Sequence, residues 1–282
     1  MLRRFATALA AFAALAVSAP AALAQHAREP LDYHFSFEGP FGTYDRAAVQ
    51  RGFLVYKQVC SNCHSLHQLS YRNLGEEGGP FAAYRERNLH TGETEITVTP
   101  HGHEPRFIEA NENPFVRAIA AEAMAPMLDD LGQPSERPAR PSDRFHAPFP
   151  NDAAARAANG GALPPDLSLI TLAREGGADY VRSLLGFGFT GQDREGKHVN
   201  LYFPGELIGM APPLAEGMVT YSDGTAATVP QMATDVAQFL QWAADPHMEA
   251  RKRAGLQVVI FLAVLTLLLY IAKREVWKNE KH

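Results

Sequence analysis

The chain has 282 residues, of which 46% are hydrophobic and 20% charged, with 20 prolines, 22 glycines and two cysteines. This composition excludes an acidic or basic disordered tail protein, a collagen-like fibre and a disulfide-stapled miniprotein, and it leaves ample material for a core. The net charge of −5 lacks the basic excess of a nucleic-acid binder.

Residues 1–24 read as an export signal. Arg3 and Arg4 form a positive start, Phe5 to Val17 an apolar run, and Ala22-Leu23-Ala24 a small-residue cleavage site before Gln25. The apolar run is short for a retained membrane span. The mature chain is therefore expected to be exported, beginning at residue 25.

Further along, Asp45 can cap a helix running to about Val59, with Val49, Phe53, Tyr56 and Cys60 recurring at three- and four-residue spacing. Between Gly75 and Asn113 lies a polar stretch holding Ile96 and Val98, read as a short hairpin. A second helix is expected from Pro114 to about Asp130. Six prolines between Pro126 and Pro150 argue for an extended surface excursion. Asp179 to Leu185 reads as a short helix. Thr228 and Gln231 have capping-box spacing ahead of an apolar face made by Met232, Val236, Phe239, Leu240 and Ala243, and Pro246 stops that helix. The sequence shows no internal repeat and no Rossmann or phosphate-loop glycine pattern. The expected fold is mainly α, with helical pieces joined by long proline- and glycine-rich loops. Such a loose set needs help to hold together.

Gly255 to Ala272 is an 18-residue run whose one strongly polar member is Gln257. As a helix it covers about 27 Å, close to the ~30 Å hydrocarbon thickness of a bilayer. Arg251, Lys252 and Arg253 precede it; Lys273 and Arg274 follow it, with Tyr270 and Trp277 near the interface. This reads as a single membrane anchor, residues 251–282. Basic residues are nearly balanced across the span, so orientation is taken from the export signal: residues 25–250 outside the cytoplasm, the short tail inside. The signal carries +2 and the anchor segment +5, which leaves −12 on residues 25–250. A field of that sign favours basic partners.

Both cysteines fall in Cys60-Ser-Asn-Cys63-His64. On a helical turn Cys60 and Cys63 lie on one face, where each thiol can join one former vinyl group of a haem, and His64 is held beneath the iron. This is the c-type haem attachment pattern. A thiol–disulfide redox pair would prefer a helix N-terminus in a βαβ context. A zinc knuckle would need further cysteine or histidine ligands nearby. For a sixth ligand the mature chain offers Met124, Met127, Met210, Met218, Met232 and Met248, besides ten other histidines. Met232 sits on an apolar helix face and reads as core. Met210 lies in Phe203-Pro-Gly-Glu-Leu-Ile-Gly-Met-Ala-Pro-Pro213, where small neighbours admit a flat porphyrin and prolines stiffen the loop. Context favours Met210 without excluding the others. A His/Met iron suits electron transfer better than catalysis.

The chain resembles the cytochrome c1 family, the haem subunits of cytochrome bc1 (quinol–cytochrome c oxidoreductase) complexes, in its bacterial members. Besides Cys60-Ser-Asn-Cys63-His64-Ser65, the matching stretches are 153–168, ending Leu-Pro-Pro-Asp-Leu-Ser, and Tyr202 to Pro213. Asp223 to Thr228, Asp235 to Ala244, the basic run and the single span match as well. By position, the resemblance places the axial methionine on Met210, propionate-side contacts on Arg174 and Tyr180, and the proline packed against the axial histidine on Pro165. It implies one covalent haem c and an electron carrier with no catalytic residues of its own. It further implies cytochrome b and the Rieske iron–sulfur protein as companions, a cytochrome c as acceptor, and a haem domain on the periplasmic side of the inner membrane. Two departures stand out: the stretch 75–113 is longer than in mitochondrial members, and the extra cysteine pair of some bacterial relatives is missing. Two other classes compete with this reading: a haem peroxidase or gas sensor, which needs an open sixth position, and a structural anchor whose haem only holds the fold.

Overall fold

A computed structural model describes residues 27–88, 91–100 and 103–278. The expected export signal lies outside the described residues. In chain order the elements are α1 (Arg46–Gln58), β1 (Ala83–Arg87), β2 (Thr94–Thr97), β3 (His103–Ile108), α2 (Pro114–Ala121), β4 (Met124–Leu128), β5 (Pro134–Pro138) and α3 (Asp152–Ala158). They continue as α4 (Gly177–Gly186), β6 (Phe189–Arg194), β7 (Lys197–Asn200), β8 (Leu207–Ile208), α5 (Val229–Ala244) and α6 (Met248–Trp277). Short 3₁₀ turns occupy Cys60–Asn62 and Tyr71–Gly75.

The core is helical. Helix α5 packs against both α1 and α4, and Met232, Val236, Phe239, Leu240, Trp242 and Ala243 are all buried. Its N-cap Thr228 accepts from the Gln231 amide at 3.3 Å. The reciprocal half of a capping box is missing, because the Gln231 side chain donates to Asp235 instead, at 3.1 Å. Asp45 caps α1, accepting from the Ala48 amide at 3.1 Å. Where α1 crosses α5, a Cβ on Gly52 would lie 2.0 Å from the Asp235 carbonyl oxygen, so only glycine lets the backbones approach this closely. Phe239 meets Phe53 and Tyr56 with ring centroids 5.6 and 5.5 Å apart and stacks on Trp242. Beside this seam the Arg51 guanidinium grips the buried Asp235 carboxylate through two bonds of 3.0 Å and reaches Asp223 at 2.9 Å.

Among the described residues three small antiparallel sheets decorate this core, with strand orders β2-β1-β3, β4-β5 and β6-β7-β8. The stretch 75–113 is a three-stranded sheet rather than a hairpin. The third strand brings Phe107 against Tyr84, with centroids 5.8 Å apart. The helix expected from Pro114 to Asp130 is corrected: α2 stops at Ala121, and 124–128 is a strand paired with 134–138. Pro126 has no amide to continue a helix, and its ring would clash with the preceding turn; in a two-stranded ribbon it can sit with its missing donor facing outward. The proline-rich excursion thus begins as a β-ribbon. The sheet β6-β7-β8 has no counterpart among the sequence-based expectations. Its turn, Glu195-Gly196, has both residues at positive φ (56° and 71°), the type I′ geometry of two-residue hairpins. Glutamate in place of the usual asparagine or aspartate hides that signal. The helix expected from Asp179 to Leu185 is α4, which starts two residues earlier.

Helix α5 ends at Ala244, ahead of Pro246, and α6 runs 30 residues from Met248. At 1.5 Å per residue it extends about 45 Å, the full thickness of a bilayer with its headgroup layers. It is long and apolar enough to cross a membrane, and its apolar window is wholly exposed.

Candidate functional site

The cysteine motif follows directly from the C-terminal end of α1. Val59 closes the helix, and the chain tightens into the 3₁₀ turn, with the Cys63 and His64 amides both donating to the Cys60 carbonyl at 3.1 and 2.9 Å. A 3₁₀ turn stacks residues three apart, so the two thiols share one side. Both are free, not disulfide-bonded. Burial pushes the Cys60 thiol up to about 12, with Cys63 adding to the rise. A thiol held protonated is a poor redox nucleophile, which weighs against the disulfide-exchange alternative.

His64 is oriented from two sides. Its carbonyl accepts from the Tyr56 hydroxyl at 3.1 Å. Its Nδ1 lies 2.7 Å from the Pro165 carbonyl oxygen, an acceptor, so Nδ1 carries the proton and Nε2 is the nitrogen left for a metal. Burial lowers the imidazole pKa, against the opposing pull of the Pro165 carbonyl and Asp166. The neutral ring is the form that ligates.

Asp166 stitches the two segments together. Its carboxylate accepts from the Ser65 hydroxyl and the His67 amide at 2.8 Å, from His67 Nδ1 at 2.9 Å and from the Ser168 amide at 2.9 Å. The Leu167 amide donates to the Ser65 carbonyl at 2.9 Å. Burial raises the Asp166 pKa, but hydrogen bonds from Ser168, His67 and Ser65 outweigh it, and the carboxyl stands below its ordinary value. Sequence reasoning misses this residue. Its position directly after Pro165 and two residues before Ser168, the spacing of an Asx turn, is the available signal.

Arg174 and Tyr180 come close: burial raises the Tyr180 pKa, against the opposing pull of the Arg174 guanidinium, which itself donates to the Ala173 carbonyl at 3.2 Å. Met210 is half-buried in the loop after β8. Gly209 abuts the other segment, since a Cβ there would stand 3.2 Å from the Ala162 methyl, three residues before Pro165. The other methionines divide clearly. Met232 and Met248 are buried in the core, while Met124, Met127 and Met218 are exposed.

The stretch that carries Pro165 and Arg174 also leaves Leu163, Leu169 and Leu172 open to solvent, and the buried Thr171 hydroxyl has no hydrogen-bond partner among the described residues. Exposed leucines on the stretch that bonds to His64, two cysteines without a disulfide and a histidine whose Nε2 is left for a metal fit a large, mostly apolar, iron-bearing cofactor. Among the described residues no three His, Cys, Asp or Glu side chains group to hold a metal ion on their own.

A sequence model of the Cytochrome C1 family matches residues 35–280. The chain belongs to the cytochrome c1 family. Its cofactor is accordingly haem c, and Cys60 and Cys63 stand at the attachment spacing. Among individual proteins it is 42% identical to cytochrome b/c1 of Bradyrhizobium diazoefficiens over 89% of this chain, and spans 36% of that longer protein. It is 40% identical to cytochrome c1 of Rhodospirillum rubrum, covering 88% of this chain and 87% of the relative. It is 40% identical to the mitochondrial cytochrome c1 heme protein of Saccharomyces cerevisiae, with 92% and 75% coverage.

Proposed function

We propose that this chain is the electron-transfer subunit of a quinol–cytochrome c reductase complex, receiving single electrons from a Rieske iron–sulfur protein and passing them to a cytochrome c through a His/Met haem. The observation that carries the reading is the His64 Nδ1–Pro165 bond inside Cys60-Ser-Asn-Cys63-His64, which reserves one nitrogen of a neutral imidazole for iron. Haem c supplies a one-electron carrier that changes oxidation state with little nuclear rearrangement.

The remaining work belongs to the chain. Cys60 and Cys63 tether the ring through two thioethers, so no electron acceptor can carry it away. His64 would hold the iron through Nε2, its ring orientation kept by Pro165 and, behind that, by the Asp166 network. Met210 would be the second protein ligand, a soft thioether that would raise the potential and close the iron to exogenous ligands. Arg174, with Tyr180 behind it, faces the propionates, where an anion favours a charge-assisted bond. No proton shuttle or nucleophile is required of this subunit.

Residues 1–24 are removed on export, residues 25–250 form the periplasmic haem domain, and α6 spans the inner membrane with the C-terminus in the cytoplasm. Cytochrome b and the Rieske protein are its companions in the complex. The charge of −12 on the exported part speeds encounter with a basic acceptor. The test is Met210→Leu in the purified complex. The potential should fall sharply while the covalent c-type spectrum persists. A wild-type potential in that variant removes Met210 from the site.

A further inference from the structure

The segment before α1 holds a loop that the electron-transfer reading does not use. Phe35 and Phe37 stack with ring centroids 4.9 Å apart, Tyr44 lies 5.7 Å from Phe37, and all three are buried. Between them the chain turns through Glu38-Gly-Pro-Phe-Gly42. The base of the turn is closed by the Glu38 amide donating to the Phe35 carbonyl at 3.1 Å and the Thr43 amide to the Ser36 carbonyl at 3.0 Å. A Cβ on Gly42 would lie 2.0 Å from the Glu38 carbonyl oxygen, so the turn is tight and built around glycine. At its tip Phe41 is 76% exposed, in a segment whose other phenylalanines are turned inward.

The place of this loop along α6 gives the exposure a meaning. The Lys252 ammonium donates to the Phe37 carbonyl at 2.6 Å and to the Gly42 carbonyl at 3.2 Å, clasping both ends of the loop. Neighbouring bonds hold the same level: Glu249 accepts from the Tyr44 amide at 2.8 Å and from Arg46 at 3.2 Å, and Met248 is buried. Lys252 stands three residues before Gly255, where the apolar run begins. That is about 4.5 Å along the helix, whereas the headgroup layer on each side of the hydrocarbon is about 5–8 Å deep. The two ends of the loop, held by Lys252, therefore lie beside the headgroup layer whenever α6 spans a bilayer. Lys252, which by sequence belongs to a basic flank for headgroups, is instead bonded to the domain.

We infer that Phe41 is a second membrane contact, an aromatic side chain that enters the lipid interface beside α6 and seats the haem domain on the bilayer. An aromatic ring at this depth is favoured for the same reason that interfacial belts are aromatic. Lys252 couples this contact to the helix, so the domain meets the membrane at two points rather than hanging from one.

The inference rests on α6 spanning a membrane, and the experiment reads that premise separately. The full-length holoprotein carrying p-benzoylphenylalanine in place of Phe41 is reconstituted in vesicles of phosphatidylcholine and phosphatidylglycerol and irradiated. Parallel samples carry the label in place of Leu265, within the span, or of Leu131, an 81% exposed residue on the turn between β4 and β5. Lipid adducts at 41 several-fold above those at 131, together with strong adducts at 265, support the inference. Adducts at 265 with background labelling at 41 overturn it, as does labelling at 41 confined to polypeptide in the intact complex. Failure to label lipid at 265 refutes the span itself and the inference with it.

Discussion

Replacing Asp166 by asparagine isolates what the carboxylate does for the histidine loop, because the side chain keeps its shape and loses its charge. Oδ1 can still accept from the Ser168 amide, but the group at Oδ2 becomes an NH2 that can no longer accept from the Ser65 hydroxyl, the His67 amide and His67 Nδ1, which donate to it at 2.8–2.9 Å, and the His67 amide has no way to reverse its role. Bonds to a charged acceptor contribute about 1.5–3 kcal/mol each when buried. With its side chain 33% exposed, Asp166 lets water replace part of that, and the well-exposed His67 ring counts little. A net loss of about 2–3 kcal/mol at neutral pH is the expected outcome.

The pH dependence has a definite sign. The folded-state pKa of Asp166 is depressed, so its contribution is fully present above the unfolded value of about 3.9 and is lost as pH falls through the folded value. Guanidinium unfolding of the detergent-solubilised holoprotein, followed at the haem absorption band, should therefore show a gap between wild type and Asp166→Asn that is wide at pH 7 and closes below about pH 4. A variant as stable as wild type at pH 7, or a gap unchanged down to about pH 3, refutes the role given to this network.

The α1–α5 crossing makes two further predictions. Gly52→Ala drives a methyl into the Asp235 backbone, where nothing flexible can yield, and should destabilise by about 2–4 kcal/mol, seen as a lower unfolding midpoint and reduced yield of holoprotein. Asp235→Ala leaves Arg51, largely covered, without its bidentate partner and should cost about 3–5 kcal/mol by the same measurement, whereas Asp223→Ala, at the exposed end of the same arginine, should barely move the midpoint. Equal effects of the two aspartates would show that burial does not set the strength of this pair.

Local chemistry makes much of the molecule legible in its sequence. Asp45, Thr228 and Pro246 mark helix ends through their own side chains or missing amide, so α1 and α5 fall where capping and periodicity place them. The span declares itself by eighteen nearly unbroken apolar residues, and the Cys60-to-His64 motif by a spacing that one helical turn converts into proximity. The errors share a cause. The strand 124–128 owes its conformation to a partner about ten residues on, and β7–β8 to pairing across the loop that leads to Met210; neither pairing is visible in a short window. Asp166 is similarly opaque, since its use depends on a segment about a hundred residues earlier in the chain, and Pro165 is found only through the family resemblance.

By itself, then, the sequence determined the chemistry: two thiols, an adjacent histidine, an acidic body and an apolar anchor, each a property of nearby side chains. Only the tertiary structure decided which histidine nitrogen is free, by setting the Pro165 carbonyl against Nδ1. It also decided that Lys252 clasps the Phe41 loop rather than standing free among headgroups. Both outcomes turn on backbone carbonyls, groups that every residue carries and that acquire a role only when folding brings them to a particular donor.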